Sequence, residues 1–250
     1  MNHNNFRSSI DQRIAKLKGH VLIFSQECRD LIESFEILVP VAQDRELLKR
    51  FSKTKRVPGL GVVRWSLVRT CIIGITKLAY DDGSQNPTAG KLIEAIIDPG
   101  SQPLRDKLKD AFSIPIRPAS TPEDSWAEED LAARKEIEKM EIQELRQAFD
   151  QHLSELEEQW KWFRQHQEAF RELRDKRFAH IDVNLINQEY KLSEVEPPSW
   201  NTMKEAVGRL IQVAEILLTI LHQKDESFEQ AVKIARQIAA DFWEISVAKL

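Results

Sequence analysis

Between Pro122 and Pro197 the chain contains neither proline nor glycine. These are the two residues that most readily end a helix. Proline lacks a donor and clashes with the preceding turn, and glycine carries the largest entropy cost. A run this long without either can form one continuous helix. Its apolar residues fit that option. Ile142, Phe149, Leu156, Phe163 and Phe170 recur seven apart, and Leu145, Leu153, Trp160 and Leu173 fill the alternate turns. The pattern predicts a helix over 126–178. Unbroken, it would reach about 80 Å at 1.5 Å per residue. Such a length calls for a hairpin arm, a break, or packing against a partner chain.

The rest of the sequence reads the same way, and the predicted class is all-α: a helical bundle with one long helix and short connecting helices. Strand signals are nearly absent. There is no alternating β-branched run, and Asp82-Gly83 follows a helical pattern rather than joining two strands. Helices are predicted over 9–38, 44–51, 60–80, 88–97, 104–112, 200–222 and 227–248. The first stops before Pro40 and buries Ile10, Ile14, Leu17, Val21, Phe24, Cys28, Leu31 and Phe35 on one face. The third is apolar nearly all round, which predicts the most buried helix, with Gly83 as its cap. Thr88 can cap the fourth, and Pro99-Gly100 ends it. The last helix presents Phe228, Val232, Ala235, Ile238 and Phe242 on one face. Pro115, Pro118 and Pro122 stiffen 113–125 into a linker or loop between an N-terminal helical region, 1–112, and a second region, 126–250. The two regions could equally form one continuous domain.

The net charge of -4 argues against a protein that coats nucleic acid with its whole surface, though not against a local basic site. The first ten residues are polar, with no signal-peptide core, and charges interrupt the apolar stretches. The expected location is the cytoplasm, with no membrane partner. Cys28 and Cys71 sit in apolar helical contexts and are expected as buried free thiols.

Most motifs dissolve on inspection. Gly83 to Lys91 reads GSQNPTAGK, but six residues separate its glycines instead of four, and Leu92 stands where a P-loop needs Ser or Thr. Pro58-Gly59-Leu60-Gly61 follows a basic run and could hold a phosphate, but it reads more simply as a solvated loop. No zinc-ligand spacing is present, so no metal site is expected. His152, His166 and His222 are predicted on helix surfaces, and Trp160, Trp162 and Phe163 in a core or interface. From 123 to 158 there are 13 acids against four bases, the composition of a solvated helix face.

The stretch LRDKRFAHID, 173–182, is different. From 161 to 177 the charge balance reverses to six bases against three acids, and a histidine follows at the tip. Cations favour a helix C-terminus, which accounts for the bases but not for His180. The stretch resembles the signature of the HEPN superfamily: an arginine, a polar residue, and a histidine after a few more positions. Its form looks most like HEPN proteins of the abortive-infection U type (AbiU-like).

The resemblance implies a metal-independent endoribonuclease that needs no cofactor and works as a homodimer on RNA. It further implies a toxin or phage-defence effector held in check by an inhibitory protein partner. By match, Arg174 and His180 take the catalytic places and Asp175 the polar position. Lys176 and Asp182 match recurring positions, and Arg177 is the alternative cation. Arg164 and Arg171 extend the basic patch as RNA contacts. The chemistry suits the residues: a histidine titrating near pH 6.5 can take or give a proton, and a guanidinium can face a phosphorane. Six residues of ideal helix, however, point Arg174 and His180 about 120° apart with a rise of about 9 Å. The helix must therefore distort there, or a second copy must complete the site. The competing reading is a non-catalytic dimerisation or partner-binding protein in which the long helix is the contact arm.

Overall fold

The computed structural model describes residues 3–52, 57–81, 83, 86–115, 128–175, 183–186, 189–192, 198–223 and 227–246. They form eight α-helices and one short hairpin. The helices are α1 (His3–Gln43), α2 (Arg45–Ser52), α3 (Val57–Tyr80), α4 (Ala89–Ile97), α5 (Gln102–Phe112), α6 (Glu128–Leu173), α7 (Trp200–His222) and α8 (Glu229–Trp243). The fold is all-α. A single 3-10 turn, Pro99–Ser101, links α4 to α5.

The core is built around α1, which packs along α3, α7 and α8. Its predicted face is buried throughout, apart from a half-buried Ile14. The helix does not stop before Pro40. It continues to Gln43 with Pro40 inside. An interior proline costs about 3 kcal/mol in an isolated helix. Here Leu38, Val41 and Leu47 are buried on either side of it, and that packing holds the last turn.

The long helix is real: α6 spans 46 residues, about 70 Å at 1.5 Å per residue. Its stripe divides in two. Phe149, Leu156, Phe163 and Phe170 are fully buried against α3, α4, α5 and α7 of the same chain. Each contributes about 1.5–3 kcal/mol relative to exposure. Upstream, 133–148 has no buried residue, and Ile137 and Met140 lie open to solvent. The stripe is thus intramolecular core in its second half and, among the described residues, unburied in its first. Buried residues from both sides of 113–125 belong to one hydrophobic cluster. Cys28 and Cys71 are free and buried in it, and burial pushes the Cys71 thiol up to about 12.

Two predicted faces are corrected. α3 is not the most buried helix. Its C-terminal half, with Cys71, Ile72, Ile75, Leu78 and Tyr80, is core, whereas Val62, Val63 and Trp65 are exposed. Pro58–Tyr80 is long and apolar enough by composition to cross a membrane, with a mean hydropathy of 1.3. In α8, Ile238 and Phe242 face outward, and Ala239, Ala240 and Trp243 face the core. The alanines let α8 approach α1 closely, and Trp243 Nε1 donates to Ile37 O at 2.9 Å.

The sequence carries almost no strand signal, yet β1 (Val183–Ile186) and β2 (Glu189–Leu192) pair antiparallel, Val183 opposite Leu192 and Leu185 opposite Tyr190. Strands of four residues are too short for an alternating pattern to stand out from its flanks.

Candidate active site

Two helix ends meet at the start of the 173–182 motif. α3 ends at Tyr80, and α6 brings Arg171 and Arg174 beside it. A helix C-terminus leaves carbonyls without intrahelical donors. Arg171 supplies one, donating from Nη2 to Tyr80 O at 2.8 Å. No described glycine has a positive φ, so Gly83 is not a left-handed cap. Instead Asp81 forms a tight turn, accepting from Gly83 N at 3.1 Å and from Asn86 Nδ2 at 3.0 Å. These hydrogen bonds hold the Asp81 carboxyl below its ordinary range, with Lys91 and Arg174 adding favourable charge. The Tyr80 ring packs against Phe163 and Phe170. Its hydroxyl is buried and has no hydrogen-bond partner among the described residues.

Arg174 itself lies where α6 stops being an α-helix. The regular ladder ends at Leu173, and Arg174 and Asp175 form a wider, π-type turn. Such turns re-aim side chains and are frequent at functional sites. Asp175 accepts from Arg174 Nε at 2.6 Å, which fixes the guanidinium plane. The Arg174 side chain is 29% exposed, open enough to meet a ligand and constrained enough to be oriented. Lys176, Arg177, His180 and Asp182 lie outside the described residues. The structure brings Arg174 and Asp175 together and places Arg171 one turn back.

The other candidate residues have structural partners. Arg164 lies over the Trp160 ring at 5.8 Å, and Trp160 Nε1 donates to Glu94 at 3.2 Å. His152, His166 and His222 are half-buried rather than free on the surface. His152 meets Glu155, His166 stacks on Trp162, and His222 contacts Lys18 O. Thr88 caps α4, accepting from Lys91 N at 3.3 Å, and a helix rather than a strand precedes the glycine-containing loop.

The family model HEPN_AbiU2, described as AbiU2, matches residues 14–241. The chain belongs to the AbiU2 family of HEPN proteins. The match runs from α1 into α8, so the AbiU2 assignment rests on the whole helical body and not on the ten-residue motif alone. It makes this an abortive-infection-related HEPN domain. No curated protein matches the chain, and no solved structure matches it.

Sequence reasoning missed Asp81, which follows the α3 end that Arg171 meets in this AbiU2 protein and is tied to Gly83 and Asn86. It lies far upstream, at a helix end beside a failed P-loop pattern. Nothing in that pattern points to α6.

Proposed function

We propose that this chain is a metal-independent endoribonuclease of HEPN type, acting in the cytoplasm as a homodimer on RNA in phage defence or as a toxin. One observation carries the reading. The arginine of an Arg-x5-His motif, in a chain of the AbiU2 family, sits on a distorted turn and is oriented by the next carboxylate.

In the proposed reaction His180 takes the proton from a ribose 2′-hydroxyl. The oxygen attacks the adjacent phosphorus and the bond to the 5′-oxygen breaks. A protonated imidazole, of this copy or the second, returns a proton to that oxygen. The products are a 2′,3′-cyclic phosphate and a 5′-hydroxyl. Arg174, its plane set by Asp175, faces the charge that grows on the phosphorane oxygens. Lys176 or Arg177 adds positive charge, and Asp182 orients the imidazole. No metal or cofactor enters the scheme. An inhibitory protein partner would act by covering the Arg174 end of α6.

The test is incubation of the purified protein with mixed RNA in EDTA, over a range of protein concentrations. Wild type yields cyclic-phosphate ends. His180→Ala and Arg174→Ala each lose about 10²-fold or more of that activity while keeping the helical spectrum. Undiminished cleavage by His180→Ala rejects the mechanism. A second reading, a non-catalytic partner-binding protein, draws on the unburied 133–148 stretch with exposed Ile137 and Met140. It predicts no cleavage by any of the three proteins.

A further inference from the structure

A cleft of about 330 Å³ runs between α1 and α4. Arg13, Lys16 and His20 line one wall, at the three- and four-residue spacing that puts them on one face of α1. Lys91 and Asn86 line the other. Among the described residues no carboxylate lines the cleft. That is unusual for a chain with more acids than bases. The neighbouring carboxylates are engaged elsewhere: Asp11 with Lys107, and Asp81 with Asn86 and Gly83. Arg13 and Lys91 bond to neutral oxygens. Arg13 donates to Ser101 Oγ at 3.2 Å, and Lys91 to Gly83 O and, at 3.4 Å, to Asn86 O.

We infer that this cleft is a phosphate-binding groove that receives single-stranded RNA. Beside the cleft, the Asp81 carboxylate is held by Asn86 of its wall and by Gly83. A groove lined by cations attracts a polyanion and tracks its backbone without reading bases. That the bound RNA is a substrate rests on the ribonuclease reading, but binding in the cleft does not.

The experiment measures anisotropy of a labelled single-stranded RNA of about ten nucleotides, a length suited to such grooves. It uses the full chain carrying His180→Ala, in EDTA and at several salt concentrations. Adding Lys16→Glu weakens binding, and the slope of log K against log salt flattens by about 0.7 for each phosphate that is no longer neutralised. Lys16→Gln gives a smaller loss in the same direction. Lys139→Glu, the same charge change on the exposed arm, leaves binding near the starting value. Equal losses in Lys16→Glu and Lys139→Glu, or none in either, overturn the cleft. Tighter binding of polyglutamate than of RNA overturns the ligand class. Weakened binding in a protein whose His180 form never cleaves RNA keeps the groove and rejects the ribonuclease. Cleavage that persists with Lys16→Glu binding RNA normally does the reverse.

Discussion

At the scale of single residues, the clearest energetic conflict is Glu36. It is 7% exposed, and Arg236 Nε lies 3.4 Å from its carboxylate. Burial raises its pKa above the ordinary 4.5, and the charges of Arg236 and Lys204 offset only part of that. A carboxyl raised in the folded state binds its proton more tightly there than in the unfolded chain. Its contribution to stability is complete below the ordinary value and is lost as pH rises through the raised one. Glu36→Gln keeps the shape and an acceptor for Arg236 but removes the buried charge. The variant should match wild type near pH 4 and become the more stable protein as pH rises from about 4.5 to 7. Urea unfolding at a series of pH values checks this, and a stability difference that does not change with pH would refute it. Breaking the pair from the other side, with Arg236→Ala, should cost more at pH 7 than at pH 4, because it leaves the carboxylate buried alone.

At the scale of elements, α4 is held to α6 by a contact that tolerates no extra atom. A Cβ built on Gly90 would lie 2.4 Å from Trp160 Cη2. Trp160 is 8% exposed and hydrogen-bonded to Glu94, so it has little room to yield. Gly90→Ala is expected to lose about 1–3 kcal/mol, the usual cost of overpacking. Gly208, inside α7, has nothing within 4 Å of the same position. Gly208→Ala is therefore expected to gain about 0.5–1 kcal/mol from helix propensity alone. Denaturant midpoints of the two variants check the contrast, and equal shifts would mean that Trp160 simply rotates away. The same pair marks the limit of reading elements from sequence. The period of α1, α6 and α7, the Thr88 cap and the turn at Pro99 were legible, because each depends on local spacing. The tight place at Gly90 was not, because its cause lies seventy residues away. Nor was the outward turn of Ile238 and Phe242. α8 carries two overlapping apolar stripes, and only the close approach of its alanines to α1 selects between them. At the candidate site, Arg174 and Asp175 were legible from the motif, whereas the approach of the α3 end to α6 and the cleft between α1 and α4 exist only once those helices are folded together.

At the scale of the whole molecule, the question is whether the proline-rich stretch 113–125 divides the chain. Buried Phe149, Leu156, Phe163 and Phe170 on α6 pack into the same cluster as Ile72, Ile75, Leu92 and Leu108 from the other side. α1 at one end of the sequence is covered by α7 and α8 at the other. An element that crosses between two regions in this way cannot unfold alone without exposing the core of both. Unfolding is therefore expected as one cooperative transition, with far-ultraviolet circular dichroism and tryptophan fluorescence tracing the same curve. Phe163→Ala is a sharp probe, because the residue is fully buried beside both Tyr80 and Trp162. It should lower stability by about 3–5 kcal/mol and move both curves together. Two separated transitions, with only one displaced by Phe163→Ala, would instead place a domain boundary near 113–125. The outcome also bears on the candidate site. Asp81 belongs to the first half of the chain and Arg174 to the second, so their approach persists only while the shared core does. A single transition means that the Arg174 turn, the Asp81 loop and the cleft unfold together, and RNA cleavage should disappear along the same denaturant curve as the helical signal. Cleavage that vanished well before it would point to a local opening at the α6 end.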